Sequence, residues 1–430
     1  MRTQHFYKIQ DVTRFKQQLL IWSQQFEDIV WLDSNNYKQT YSNYDAVLAV
    51  DALTSVQTNY KGAFDALKEY QSNVNDWIFG YLTYDLKNDI ENLESSNYDG
   101  LAFPDLYFFQ PKKMFFIKDD TLELRYLNSV DKEWKDDLVQ IGQMEEIVTQ
   151  PVKDAIKIKL RIHKDAYFEK IKAMLEHIHR GDIYEANFCQ EFYAEDTLIN
   201  PLETYNKLNA ISNPPFATFF KTFDKYLISA SPERYLKKMG NVVISQPIKG
   251  TAKRSSDPDK DTLSKLNLSQ DTKERSENIM IVDLVRNDLS KTAVKGSVTV
   301  EELCKVYTFD QVHQMISTVK SELVPSVHPV EVIKSTFPMG SMTGAPKISA
   351  MKIIETLEET KRGLYSGTVG YFAPDGDFDF NVVIRSILYN ETQRYVSYSV
   401  GSAITAKSDP LKEYEECLVK AKAMREVLEN

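Results

Sequence analysis

The stretch that most narrows the fold is Pro374-Asp375-Gly376-Asp377, set between two β-prone runs at 367–372 and 378–388. Pro fixes one backbone angle of a reversal, and Gly and Asp tolerate the unusual ones, so two such runs joined this way read as a hairpin. A hairpin makes its strands antiparallel. Further strand-like runs at 225–230, 241–246 and 394–400 share this region with long helical stretches at 259–289, 345–360 and 411–428. That mixture favours an α+β sheet sandwich over a doubly wound parallel fold. Neither GxGxxG nor GxxxxGK[ST] occurs to hold a nucleotide phosphate.

A chain of 430 residues exceeds the usual single-domain size, yet an elaborated two-layer body can absorb it. Residues 1–150 are rich in Tyr, Asn and Asp, with short β-like runs at 76–84 and 114–117 and no chemical motif. The pattern changes at Gln150-Pro151-Val152-Lys153, which places a boundary near 150. Beyond it, 165–180 puts Phe168, Ile171, Leu175 and Ile178 on one helical face and ends at Gly181, a natural C-cap. The expectation is an N-terminal region, 1–150, in the same sandwich as a catalytic region, 151–430.

With 52 basic and 62 acidic side chains the net charge is −10, and no basic run offers a footprint for nucleic acid. One cationic pocket for a small anionic substrate is compatible with that balance. The start MRTQHFYKIQ has no apolar leader, and nowhere do eighteen uninterrupted apolar residues occur, so no membrane span is expected and the cytoplasm is the expected compartment. Cys189, Cys304 and Cys417 are far apart, without CxxC, and read as buried thiols rather than a disulfide or metal framework.

Three constellations could carry chemistry. Glu274/Glu277 and Glu413/Glu416 are ExxE pairs, each able to aim two carboxylates from one helix face; four meeting would need a cation such as magnesium, though ExxE is also common on solvated helices. In Gln246-Pro247-Ile248-Lys249-Gly250-Thr251 a β run breaks at Pro and Gly around one lysine, either a nucleophile beside bare backbone or an ordinary turn lysine. Gly340-Ser341-Met342-Thr343-Gly344-Ala345-Pro346-Lys347 is a small-residue loop entering a helix, either an anion seat or a plain connection. Glu233, Tyr365 and Arg385, the last within an apolar strand, remain open on spacing alone, and His313, in a helix-like run, reads as a satisfied core histidine.

In order and spacing, GDIYEANFCQEF (181–192), SPERYLKK (231–238), QPIKGTAKR (246–254), ERSENIMIVDLVRNDL (274–289), GSMTGAPKISAMKIIE (340–355), RGLYSGTVGYF (362–372), FNVVIRSI (380–387) and EYEECLVKA (413–421) resemble the chorismate-utilising enzymes. That family includes anthranilate, aminodeoxychorismate, isochorismate and salicylate synthases. The resemblance implies the anthranilate synthase component I-like fold, two large, mainly antiparallel sheets packed as a sandwich with helices outside. It implies Glu277 and Glu416 as direct magnesium ligands, with Glu274 and Glu413 holding the ion's waters. Gly250 and Thr251 match the ring-carboxylate site, Tyr365, Arg385 and Gly401 the enolpyruvyl-carboxylate site, and Glu233 the acid that protonates the departing C4 hydroxyl. Ser341 and Thr343 would contribute to substrate binding.

Lys249 in PIKGT, where anthranilate synthases usually carry Ala, implies covalent attack at C2 and amination at C4 to 4-amino-4-deoxychorismate on the way to 4-aminobenzoate and folate. Ammonia would come from a separate glutamine amidotransferase, because no Cys here has a nucleophile-elbow setting. The competing expectations are anthranilate formation with loss of pyruvate, and a non-catalytic tryptophan-binding sensor. Three positions depart from the family pattern: Gln314 stands for a histidine, Glu185 for the Gln of many amination enzymes, and Gly401-Ser402-Ala403-Ile404 for GAGI or GGGI. Isochorismate and salicylate synthases place a lysine base at the Glu185 position, so water activation at C2 is disfavoured. Trp31-Leu32-Asp33-Ser34 lies where the family often has an effector-site motif.

Overall fold

The computed structural model describes residues 1–38, 40–145, 156–310 and 312–429. The hairpin forms as expected: Thr368–Phe372 pairs antiparallel with Phe378–Val382, and Phe372 lies opposite Phe378. On its other edge Thr368–Phe372 pairs with Ile78–Leu82, and Phe216–Thr222 pairs with Asp28–Asp33, so strands from the first 145 residues are built into the same sheet as the rest. Twenty strands form one network whose ladders run antiparallel, and eleven α-helices accompany it among the described residues. The boundary expected near residue 150 lies outside the described residues.

Side-chain alternation puts an apolar core on each face of the sheet. In the strand Ala46–Thr58, Val47 and Ala49 enter one core and Ala46, Leu48 and Val50 the other; Met114 and Phe116 part from Phe115 and Ile117 in the same way. The first core is largely strand against strand, with Phe79, Phe108, Phe372 and Phe380 all buried. In the second, helices cover the sheet through Leu19, Ile141, Ile171, Met174 and Met424. Both cores draw on both halves of the chain.

The helix Lys164–Arg180 ends at Gly181 in the left-handed region, as its sequence indicates. Four local readings need correction. The helical stretch 259–289 is two helices, Pro258–Gln270 and Thr272–Ser290, because Asp271 turns extended and its carboxylate caps the second at the Glu274 amide, 2.9 Å away. The run 378–388 is two strands, Phe378–Val382 and Ser386–Asn390, with Arg385 between them at φ 54°. There the chain leaves the Thr368–Phe372 and Arg234–Met239 strands and joins Lys225–Ser231 and Tyr395–Thr405 instead. His313 belongs to the strand Val312–Glu322, not to a helix, and is buried with Asp261 and Thr308 as partners. The loop before Lys347 is partly strand: Gly344 and Ala345 pair with Ala186 and Glu185. No helix among the described residues is long and apolar enough to cross a membrane.

Phe380 is 1% exposed and packs edge-on against Phe372 at 5.1 Å. Phe380→Ala leaves a cavity between strands, so urea denaturation should show a loss of about 3–5 kcal/mol.

Candidate active site

Lys249 owes its position to an irregular ladder. In Ile248–Lys253 the register against Val312–Glu322 shifts between Ile248 and Thr251, and Gly250 takes φ 94°. Such a bulge re-aims the side chain beside it. A Cβ on Gly250 would also come within 3.2 Å of Glu274 Oε2, so the bare backbone lets this carboxylate close in.

The Lys249 amine donates to Glu185 Oε1 at 2.9 Å. Burial works to lower the Lys249 pKa, but Glu185, Glu277 and Glu233 outweigh it and hold the amine above its ordinary range. Glu185 is 1% exposed, fixed where its strand, Glu185–Ala194, meets both Gly344–Ala345 and Tyr395–Thr405. Its second oxygen, Oε2, has no hydrogen-bond partner among the described residues.

Glu233 lies in the turn between the strands Lys225–Ser231 and Arg234–Met239 and is buried. Burial pushes its carboxyl up to about 7, against a hydrogen bond from Ser341, the charge of Lys249 and the Ile248 amide. Ser341 and Glu233 also line a small open pocket with Pro247, Val285, Asp288 and Thr336. Thr343 is fully buried, and its hydroxyl donates to the carbonyls of Met339 and Gly340 rather than facing outward.

The four ExxE glutamates come from Thr272–Ser290 and the C-terminal helix Pro410–Glu429 and gather around Lys273, which feels the charge of all four. The Lys273 ammonium stands 3.7 Å from Glu277 and 3.6 Å from Glu413. Glu277 is buried, its Oε1 lacks a hydrogen bond, and burial together with Glu185 and Glu274 lifts its carboxyl to about 7. Burial also raises Glu274, aided by Glu416. Glu413 accepts from the Ser402 hydroxyl, whereas Glu416 is more open and pairs with Lys420 at 2.6 Å. As the side chains stand, no three acidic, histidine or cysteine groups among the described residues are close enough to hold an ion.

Arg385 is half-buried and forms no ion pair among the described residues; burial lowers its pKa, opposed by the nearby Tyr365 and Glu416. Tyr365 is buried against Cys189. Gly401 lies opposite Cys189, and a Cβ there would approach the thiol to 2.6 Å. Thr251 is exposed, with Gln314 opposite it. Gln314 is buried with its Oε1 unpartnered. All three cysteines are buried and free.

Sequence reasoning gave no role to Lys273, Ser402 or Lys420. Lys273 had a readable signal, since a lysine four residues before Glu277 shares its helix face. Ser402 stood out only as a departure from the family's glycine-rich run, and its contact with Glu413 crosses from a strand to the C-terminal helix, which no spacing shows. Leu32, Asp33 and Ser34 line a second open pocket, while Trp31 is buried with its indole donating to Tyr205.

The sequence profile of the family described as chorismate binding enzyme matches residues 27–426. The chain is similar to an anthranilate synthase component I-like protein of Synechocystis, 36% identical over 82% of this chain and 72% of that one. It is also similar to aminodeoxychorismate synthase component 1 of Bacillus subtilis, 31% identical over 81% and 76%. It spans about a third of the plant aminodeoxychorismate synthases that it matches, 30% of the rice and 34% of the Arabidopsis protein. Anthranilate synthase component I from Streptococcus pneumoniae has the same fold, with a TM-score of 0.76 at 24% identity over 90% of this chain and 93% of that one.

A carboxyl held near pH 7 by burial keeps its proton in the folded state where the unfolded chain has released it, so stability falls as pH rises from about 4.5 through 7. Glu233→Gln removes that loss. In metal-free protein it should match wild type below pH 4 and exceed it by up to about 3 kcal/mol at pH 8, read by urea denaturation at both pH values.

Proposed function

The chain belongs to the chorismate binding enzyme family, and we propose that it aminates chorismate at C4, releasing 4-amino-4-deoxychorismate and water. The observation that carries this reading is one amine, Lys249, held beside an acid poised near pH 7 and a set of carboxylates. The Bacillus subtilis relative named as an aminodeoxychorismate synthase supports it.

In this mechanism the Lys249 amine attacks C2 of the ring. The two ring double bonds shift toward C4, and the C4 hydroxyl departs as water on a proton from Glu233, whose raised pKa keeps that proton available at neutral pH. Ammonia then enters at C4, the double bonds shift back, and Lys249 is expelled. Arg385, a guanidinium without an internal carboxylate, is the natural partner of the enolpyruvyl carboxylate, with Tyr365 and Gly401 shaping that end. The backbone at Gly250 and Thr251 takes the ring carboxylate, Ser341 orients Glu233, and Thr343 braces the turn that carries Ser341.

The ExxE cluster suits a hard divalent cation: its donors are all carboxylate oxygens on two helices, one buried oxygen of Glu277 accepts no hydrogen bond, and Lys273 already supplies positive charge between them. Glu277 and Glu416 would hold magnesium directly, with Glu274 and Glu413 on its waters. Bound there, magnesium would draw electrons from the ring through its carboxylate. Moving Lys273 aside and freeing Glu416 from Lys420 is the adjustment this requires.

Ammonia at neutral pH is mostly ammonium, so a separate glutamine amidotransferase subunit belongs to the same proposal, and the component 1 naming of the Bacillus relative supports it. Residues 151–430 form the catalytic region and 1–150 the scaffold in this reading. The three free thiols favour a reducing compartment such as the cytoplasm.

Purified protein given chorismate, magnesium and ammonium should yield an aminated product that keeps its enolpyruvyl group, identified by chromatography with mass detection. Anthranilate with free pyruvate would support the second reading, which the Synechocystis relative's name favours, and would overturn this one. Glu233→Gln should cut kcat by about 10²–10⁴-fold in the same assay.

A further inference from the structure

We infer that Asn187 is a further substrate-binding residue, whose side-chain amide donates a hydrogen bond to the enolpyruvyl carboxylate of chorismate. The inference rests on the amination reading, in which Lys249 takes C2 of the ring and Tyr365, Arg385 and Gly401 take the enolpyruvyl end. It adds a group between those two places.

Strand geometry puts the amide there. In Glu185–Ala194, Ala186, Phe188 and Phe192 enter the helix-covered core and Cys189 enters the other, so Glu185, Asn187 and Cys189 share one face. At one end of that row Glu185 accepts from the Lys249 amine at 2.9 Å. At the other the Cys189 thiol donates to the Tyr365 hydroxyl at 3.8 Å. Asn187 falls midway, about 7 Å along the strand from each neighbour in the row. In chorismate C2 is bonded to C3, and C3 carries the enolpyruvyl ether. A ring seated with C2 at Lys249 and its enolpyruvyl carboxylate toward Tyr365 therefore runs its side chain past Asn187.

The amide is held in place with its hydrogen-bonding capacity unspent. The Asn187 N–H donates to the Thr343 carbonyl at 2.7 Å, and its carbonyl accepts at 2.7 Å from Arg362, a guanidinium itself held by buried Glu358. Asn187 is 5% exposed, yet its Nδ2 meets only sulphur, Cys189 Sγ at 3.5 Å and Met342 Sδ at 3.9 Å, and its Oδ1 accepts no hydrogen bond among the described residues. Thiol and thioether sulphurs are weak acceptors, so a buried amide left with them gains from a ligand oxygen. Gly401 sets the room: a Cβ there would stand 3.0 Å from both Nδ2 and Oδ1. The bare backbone lets the amide lie against the next strand, and a half-turn about its last bond exchanges Nδ2 and Oδ1 at the cost of the sulphur contacts alone. Arg385 supplies the charge for the carboxylate, and Asn187 supplies a neutral, directed donor that fixes orientation.

The test compares wild type, Asn187→Ala and Asn187→Asp, with folding checked by thermal melting. The ligands are chorismate and, as a competitor, the same dihydroxylated ring carboxylate without its enolpyruvyl group. Asn187→Ala should raise KM for chorismate about 10- to 100-fold with kcat nearly unchanged, because a bond made equally to substrate and transition state is lost. Asn187→Asp, the same shape with an anion facing the carboxylate, should raise KM further. The inhibition constant of the ring-only competitor should stay at its wild-type value in both variants. A wild-type KM for chorismate in Asn187→Ala would overturn the inference while leaving the amination reading standing. A rise in KM matched by an equal weakening of the ring-only competitor would overturn it too, since that marks general damage to the site. Either variant decides if the other does not fold. Wild type that forms no aminated product would retire the parent reading instead.

Discussion

A buried ion pair, Lys249 with Glu185, is the interaction around which the site is arranged. Taking two charges out of water costs several kcal/mol each, and only close geometry with further compensation offsets it. The Glu277 and Glu233 carboxyls stand close enough to favour the charged amine whenever they are ionised. The pair also constrains the backbone, because it needs the bulge at Gly250 on one side and the three-strand junction at Glu185 on the other. A fold that supplied either element alone would leave a charge stranded.

The same crowding tunes the neighbouring acids. Glu233 and Glu277 are both raised to about 7, chiefly by burial, and these are the groups a proton donor and a cation site would use. Stability is spent on function at such positions, since a carboxyl reluctant to ionise weakens the fold at neutral pH. The two apolar cores provide the rigid frame against which that strain is held.

Much of this was legible in the sequence, and the rest failed for identifiable reasons. The hairpin at Pro374–Asp377 and the cap at Gly181 are local signals, and both appear where expected. Asp271 hid a helix break, because a polar residue inside a long helical pattern reads as solvated face until its side chain is seen capping the next amide. Arg385 hid a strand break, because the apolar run around it continues smoothly while the backbone at Arg385 turns to positive φ as the chain changes partners. The candidate residues were readable from motif order, and Glu233, Lys249 and the four glutamates do lie in one electrostatic neighbourhood. What no motif carried was the Lys249–Glu185 contact, which joins positions 64 apart on strands that pair with other partners and not with each other.

The central claim is that Lys249 becomes covalently attached to the ring, and intact-protein mass spectrometry tests it most directly. Enzyme incubated with chorismate and magnesium without ammonia should gain a mass equal to substrate minus water. Peptide mapping should place that mass on Lys249, and ammonium should discharge it. An unmodified lysine throughout, in a preparation that still forms aminated product when ammonium is added, would contradict the account.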